Sequence, residues 1–181
     1  MAAAERKRLP EVGVTSEEVL ARLRRTPQRL ADLTAEIPAQ RLRSQPEPEA
    51  WSAVEVLAHL RACADVWGDC IATMLAHDHP TLRAVNPRSW IRRTDYRELE
   101  FAASLDAFTA QREGLLGILE PLAPEAWARP ATITGAGAAL ERTVLSYGRW
   151  MASHERPHIT QIERILGGRV STAPRARRAP G

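Results

Sequence analysis

Apolar residues recur at alternating steps of three and four in four segments of the chain, which is the spacing of helices that bury one face. The first segment begins near Thr15, because Thr15 and Glu18 have the form of a capping box. Pro27 lies where a kink or a second helix start is expected. The polar, proline-rich sequence RSQPEPEA then predicts a loop before the second segment.

The second segment opens at Ser52, again with a capping box to Glu55, and its apolar pattern runs to about Asp78. One line of its buried face contains Val56, His59, Cys63, Val66, Cys70 and Thr73. The connection that follows is too long for a tight hairpin. It predicts a crossover of the kind that a bundle with two neighbouring parallel helices requires.

The third segment ends before Pro121 and carries an apolar line formed by Phe101, Leu105, Phe108, Leu115 and Leu119. Arg112 lies in this line, between Phe108 and Leu115. The fourth segment extends from about Ala139 to Leu166 and is followed by Gly167-Gly168, which ends a helix. Its line contains Val144, Tyr147, Met151, His154, His158, Gln161 and Ile165.

These four segments predict an all-α fold, a four-helix bundle with a long crossover between the second and third helices. The composition agrees, because alanine, leucine and arginine dominate and β-branched and aromatic residues are too sparse for several strands. A chain of 181 residues has room for one domain with a core. We place the bundle at residues 16–166, between a disordered N-terminus (1–15) and a disordered basic tail (167–181).

The formal charge of +3 does not predict a nucleic-acid-binding protein. The last fifteen residues carry four arginines and no acid, so the other 166 residues carry −1 (3 − 4). No apolar run approaches the roughly 20 residues that span a membrane, and no secretory signal pattern opens the chain. We therefore expect a cytoplasmic protein that binds neither nucleic acid nor membrane. Cys63 and Cys70 are expected to be reduced, since about 10 Å separates them on one helix.

Residues 154–158, His-Glu-Arg-Pro-His, match the H-E-x-x-H zinc motif of metallopeptidases. A peptidase would need Glu155 as general base and a third ligand downstream. No histidine follows the motif, and the single acid that does, Glu163, is on the same helix. Pro157 also removes one backbone hydrogen bond inside the motif. A peptidase is therefore disfavoured, and Glu155 is interpreted as a flanking or rim acid.

His154 and His158 are neighbours on the buried line of the fourth helix, where their i and i+4 spacing lets both rings reach one ion. His59 has the corresponding position on the second helix. If these helices are adjacent, three neutral imidazoles converge and leave one or more coordination positions for water or substrate. Imidazole ligands suit zinc or nickel, with iron and manganese as further choices.

Each of these polar residues also has an interpretation without a metal. His59 alone is more often a hydrogen-bonded core residue, and Cys63, one turn later, is more often a packing residue than a ligand. His77 and His79 fit a solvated helix end. Arg112 would bury a charge unless it reaches solvent, meets an acid on another helix, or points into the bundle mouth and binds a substrate carboxylate.

The sequences TPQRLADL, WSAVEVLAHL and HERPHITQI, in this order and spacing, resemble the DinB/YfiT superfamily, including its relatives among the mycothiol-dependent maleylpyruvate isomerases. The likeness covers about residues 16–166. It implies a four-helix bundle with an up-down-down-up course. It also implies a divalent metal, zinc or nickel, held by His59, His154 and His158.

The resemblance further implies thiol-dependent chemistry, because characterised relatives use mycothiol or bacillithiol. We therefore predict a metal-dependent thiol S-transferase or isomerase in stress or detoxification, with a small-molecule thiol and an electrophile as partners and Arg112 as the candidate substrate-binding residue. The alternative is a non-catalytic stress or interaction protein with a vestigial metal site, since a kink at Pro157 would turn His154 away from His158. A homodimer is left open.

Overall fold

The computed structural model describes residues 13–167. Its helices are α1 Ser16–Thr34, α2 Ala39–Arg43, α3 Ala53–Ala76, α4 Pro87–Ile91, α5 Phe101–Leu119 and α6 Val144–Gly167. Its strands are β1 Thr81–Arg83, β2 Pro130–Thr134 and β3 Leu140–Thr143, and a 3-10 turn at Pro124–Ala128 precedes β2. The predicted disordered ends, residues 1–15 and 167–181, lie outside the described residues except for 13–15 and 167, where Val14 is buried and Gly167 is the last residue of α6.

The predicted helix starts are confirmed by their capping hydrogen bonds. The Thr15 hydroxyl accepts the Glu18 N–H while the Glu18 carboxylate accepts the Thr15 N–H, and Ser52 and Glu55 repeat this exchange. Of the two alternatives at Pro27, a kink or a restart, the restart does not occur, because α1 is one helix with Pro27 inside it. The four long helices α1, α3, α5 and α6 thus correspond to the four apolar segments.

The four long helices form a ring in which α3 and α1 each pack against both α5 and α6. Their directions follow from contacting residues. α3 runs parallel to α5, as the pairs Arg61 with Ser104 and Asp65 with Gln111 show. It runs antiparallel to α6, as Trp67 with Trp150 and His59 with His158 show. α6 runs parallel to α1, as Thr26 with Glu155 and Arg29 with Glu163 show. This is the expected up-down-down-up course, with the long crossover between α3 and α5.

A small sheet lies in the connections between the helices and was not predicted. β1 belongs to the α3–α5 crossover, and β2 and β3 belong to the α5–α6 connection, with β2 in the middle, parallel to β1 and antiparallel to β3. The fourth helix consequently begins at Val144 and not near Ala139, because Leu140–Thr143 forms β3. Strands of three to five residues are too short to show an alternating pattern in the sequence.

The core consists of two apolar clusters separated by a layer of buried polar side chains. The first cluster includes Leu23, Ile71, Leu119 and Met151, and the second includes Leu30, Leu57, Phe108 and Ile162. Each long helix contributes a buried polar residue between the two clusters: Thr26 on α1, His59 on α3, Arg112 on α5 and Glu155 on α6. The chemistry of the bundle is therefore concentrated in this layer.

The structure also bears on the expectations about membrane-spanning helices and about the two cysteines. Within residues 13–167, no helix has the length and apolar character needed to cross a membrane. Cys63 and Cys70 are both free thiols, as the sequence predicted. Cys63 is buried, whereas Cys70 is half-buried.

Candidate metal site

Three histidine rings from two helices meet inside the bundle. Nε2 of His154 lies 3.0 Å from Nε2 of His59 and 3.2 Å from Nε2 of His158. Two nitrogen ligands at about 2.0–2.1 Å from a tetrahedral zinc ion are roughly 3.3 Å apart. The donor set and its spacing therefore fit a shared divalent metal, and the structure brings all three sequence-predicted ligands together.

Pro157 does not separate the two histidines of α6. The helix continues from Val144 to Gly167 through Pro157, which is exposed, while the rings of His154 and His158 lie one above the other with centroids 4.6 Å apart. Residues i and i+4 share a face of a continuous helix, and α6 remains continuous at Pro157, so the proline does not separate this pair. His154 and His158 therefore lie on the same side of α6 in the folded protein.

The thiol of Cys63 also lies at the cluster. Its Sγ is 3.6 Å from Nε2 of His59, and the donor atoms of His59, Cys63 and His154 all lie within 4.8 Å of one another. Cys63 follows His59 by one turn of α3 and is 2% exposed. A sequence pattern that places both residues on one buried face does not distinguish a packing cysteine from a ligand, and only the geometry shows this proximity.

Burial keeps two of the imidazoles neutral. The pKa of His59 is lowered to about 3 and that of His154 to about 4, mainly by burial and in smaller part by the neighbouring His158 and the Arg88 guanidinium. Histidine binds a metal through an unprotonated ring nitrogen. At neutral pH these two rings are therefore in the form that coordinates an ion.

The tautomer of His158 is set by Gln161. The side-chain oxygen Oε1 of Gln161 lies 3.0 Å from Nδ1 of His158, and because an amide oxygen only accepts, this contact requires the proton on Nδ1. Nε2 then presents a lone pair to the other imidazoles. Metal-ligating histidines commonly have such a partner on the second ring nitrogen, which fixes the orientation of the ring.

Two tryptophans and an arginine surround the histidines. The Trp51 ring centroid is 5.3 Å from that of His59, and the Trp67 ring packs edge-on against His154 at 4.9 Å. Cζ of Arg88, an exposed residue on α4, lies 5.2 Å from the centre of the Trp51 ring. Arg88 was missed by the sequence analysis because no periodic pattern relates the long crossover to the helices. The crossover's length was the available signal.

Asp65 anchors the crossover that carries Arg88. Its carboxylate accepts hydrogen bonds from Nε1 of Trp90 at 3.0 Å, the Tyr96 hydroxyl at 2.6 Å and the side-chain amide of Gln111. These contacts fasten α4 and the segment after it to α3 and α5. The position of Arg88 beside the histidines therefore depends on a half-buried network that the sequence analysis did not identify.

Arg112 belongs to a different part of the polar layer. Its guanidinium pairs with the Glu155 carboxylate and lies 3.0 Å from the sulfur of Met151, while the Thr26 hydroxyl donates to the other Glu155 oxygen at 2.6 Å. Arg112 is 2% exposed and Glu155 is 3% exposed. The interpretation of Glu155 as a rim acid is therefore wrong, and of the alternatives for Arg112 the structure has the contact with an acid on another helix.

The fold and this cluster define a class: a four-helix bundle with three histidines from two helices arranged to hold a metal. The profile of the DinB superfamily matches residues 22–162, a range that includes His59, His154 and His158. The chain belongs to the DinB superfamily. The resemblance noted from its short motifs is thereby confirmed.

A comparison with solved structures gives the same fold. The chain is similar to YfiT from Bacillus subtilis, which is described as a probable metal-dependent hydrolase with an unusual four-helix bundle topology. The TM-score is 0.69 and the sequence identity is 17%, over 87% of this chain and 93% of YfiT. At this identity the similarity establishes the fold. No curated protein matches the chain.

Proposed function

We propose that this protein is a divalent-metal-dependent thiol S-transferase or isomerase that joins a low-molecular-weight thiol, of the mycothiol or bacillithiol class, to a small electrophile. The observation that carries the proposal is the convergence of the Nε2 atoms of His59, His154 and His158 inside the bundle. Imidazole ligands suit zinc or nickel. The description of the structural relative YfiT as a probable metal-dependent hydrolase supports metal dependence in this fold.

The surroundings of the histidines favour a thiol over water as the nucleophile. Glu155, the acid of the H-E-x-x-H sequence, is paired with Arg112 and accepts from Thr26, so it is not available as a general base. A thiol ordinarily has a pKa of about 8.5, far below that of water. A divalent metal at the histidines would lower the pKa of a bound thiol and hold it as the thiolate at neutral pH.

The residues around the histidines have separate tasks in this proposal. Trp51 and Trp67 exclude water from the imidazoles, since both rings pack against them. Arg88 offers an exposed positive charge over the Trp51 ring, where it would bind a carboxylate of the thiol or the electrophile. Arg88 thus takes the substrate-binding role that the sequence suggested for Arg112, because the charge of Arg112 is already neutralised by Glu155 in the core.

Metal content tests the proposal most directly. Untagged protein is saturated with zinc or nickel, freed of excess ion and analysed for bound metal, with His59→Ala as the test variant and His77→Ala, at an exposed helix end, as the control. We expect about one ion per chain in the wild type and in His77→Ala, and strongly reduced uptake in His59→Ala. A wild type that takes up neither metal at saturation excludes the proposed function.

Thiol chemistry is tested on the metal-loaded protein. Mycothiol and bacillithiol are incubated with a panel of small electrophiles, and thioether or isomerised products are measured by mass spectrometry with metal-free protein as the control. Product that depends on the metal supports the proposal. Metal uptake without thiol binding or product would instead support the non-catalytic alternative. That alternative is favoured by one feature of the site: none of the side chains described above around the histidines is an acid-base partner.

A further inference from the structure

The thiol of Cys63 lies close to the imidazoles that would hold the ion, within 4.8 Å of donor atoms of His59 and His154. In a tetrahedral zinc site, Zn–S and Zn–N distances of about 2.3 and 2.05 Å place sulfur and nitrogen about 3.6 Å apart. Sγ of Cys63 is 3.6 Å from Nε2 of His59 and 3.9 Å from Nδ1, so the thiol lies beside the ring and would turn about its Cα–Cβ bond to reach an ion in front of Nε2. The same calculation for two nitrogens gives roughly 3.3 Å, close to the 3.0 and 3.2 Å between the imidazoles.

We propose that Cys63 is a sulfur ligand of the ion held by His59, His154 and His158, so that the site has mixed nitrogen and sulfur coordination. The inference rests on the metal-binding part of the proposed function and not on thiol transfer. It changes the interpretation of Cys63 from a packing residue to a ligand. It also departs from the ligand set of three histidines that the family resemblance implies.

The two cysteines of α3 provide an internal comparison. Cys63 lies one turn from His59 on the same face of the helix. Its Sγ and one ring nitrogen each of His59 and His154 all lie within 4.8 Å of one another. Cys70 stands two turns further on, is half-buried, and has its hydrogen bond with Tyr147. Packing alone would suit both residues, whereas only Cys63 has donor atoms of other side chains placed around it for a common ion.

A sulfur ligand has consequences for the metal and for the substrate. Thiolate is a soft ligand, which favours zinc over manganese, iron or magnesium. Three imidazoles and a thiolate complete a tetrahedral zinc site. A substrate thiol would then have to enter as a fifth ligand, an expansion that catalytic zinc sites undergo. The site would therefore be more selective in its metal, and more closed at rest, than a site of three histidines.

Spectroscopy on the loaded protein tests the ligand without relying on activity. Cobalt(II) replaces zinc and shows a sulfur-to-metal charge-transfer absorption in the near ultraviolet when a thiolate is bound. The test uses Cys63→Ser and Cys63→Ala, with Cys70→Ser as the matched control on the same helix, in buffers free of added thiol. Circular dichroism establishes that each variant is folded. X-ray absorption of the wild-type zinc protein reports a Zn–S distance of about 2.3 Å and needs no variant.

The expected result is a sulfur signal in the wild type and in Cys70→Ser that disappears in both Cys63 variants, with zinc affinity lowered there on the order of 10- to 100-fold or more. A bound ion with only nitrogen and oxygen neighbours in the wild type overturns the role of Cys63 and leaves the metal centre standing. A sulfur signal that persists in Cys63→Ser also overturns it. No bound ion at all removes both this inference and the proposed function.

Discussion

The guanidinium of Arg112 on α5 and the carboxylate of Glu155 on α6 form an ion pair across the interior of the bundle, between two long helices at opposite corners of the ring. Thr26 on α1 donates to the same carboxylate. The pair lies in the polar layer between the two apolar clusters. Since a buried charge is costly without its partner, this layer ties three helices into one arrangement.

Replacing Arg112 with methionine keeps an apolar stem and leaves the Glu155 carboxylate buried without its cation. We expect this variant to lose about 3–5 kcal/mol of unfolding free energy, measured by urea denaturation. Arg112→Met combined with Glu155→Leu should lose less than the sum of the single changes, because neither charge then remains alone.

The control for Arg112 is Arg24→Met, which removes an exposed ion pair with Glu120 and should cost no more than about 1 kcal/mol. The Arg112 variant should still bind metal if it remains folded, because its guanidinium is engaged with Glu155 and Met151 and not with the histidines. An unchanged unfolding midpoint in Arg112→Met would show that the pair contributes nothing to stability.

The buried histidines predict acid sensitivity of the metal-free protein. In the unfolded chain His59 and His154 bind protons below about pH 6.5, whereas in the folded protein their pKa values are about 3 and about 4. The unfolded state therefore binds more protons between these limits, and stability falls as the pH drops below 6.5. Urea midpoints between pH 7.5 and 5 should show this decline.

The double variant His59→Asn/His154→Asn isolates the contribution of these two rings to the pH dependence. Its unfolding free energy should change less between pH 7.5 and 5 than that of the wild type, since the groups that protonate on unfolding have been removed. His77→Asn, at an exposed helix end, should leave the wild-type slope unchanged. Equal slopes in the wild type and the double variant would mean that the imidazoles are not buried in the neutral form.

Pro157→Ala should stabilise the protein without changing its metal site. Alanine restores a backbone N–H that is able to bond the Ser153 carbonyl, and it is a far better residue for a helix interior, so we expect a gain on the order of 1–3 kcal/mol in thermal or urea unfolding. Metal affinity should stay the same, because His154 and His158 already converge with proline present. Arg156→Ala, at the preceding exposed position, is the control. Metal binding that appeared only in Pro157→Ala would show that the native site is degenerate.

Most of the fold could be predicted because helices carry their burial pattern in consecutive residues. The spacing of apolar positions located α1, α3, α5 and α6, and the capping boxes at Thr15 and Ser52 fixed two of their starts. The sheet could not be predicted, since β1 and β2 meet only after the crossover has folded back and neither strand has a pattern of its own. Local signals do not encode such pairing.

The candidate site was predictable in part for the same reason. His59, His154 and His158 each occupy a buried line of one helix, so the adjacency of two helices was enough to bring them together. The partner of Arg112 was not predictable, because Glu155 is adjacent to His154 in the sequence but points towards α1 and α5. A difference of one position turns a side chain by about 100° around a helix, so the acid of the motif and its first histidine serve different parts of the molecule.

Arg88 is expected to select anionic substrates. Its guanidinium lies over the Trp51 ring, and among residues 13–167 no carboxylate forms an ion pair with it, so the charge is available to a ligand. Arg88→Met should weaken the binding of a thiol that carries a carboxylate about tenfold, while a neutral thiol and the metal bind as before, as measured by calorimetry. The control is Arg142→Met, which removes a cation over Trp150 instead.

Arg88→Met also has an effect that requires no substrate. The positive charge of Arg88 helps to lower the pKa values of His59 and His154, so its removal should raise both in the metal-free protein, as followed by NMR titration. If binding of anionic and neutral thiols weakens equally, Arg88 acts on the structure of the crossover and not on the charge of the ligand. If the histidine titrations do not move either, the guanidinium does not lie beside the imidazoles in solution, and another cation must be sought for the substrate carboxylate.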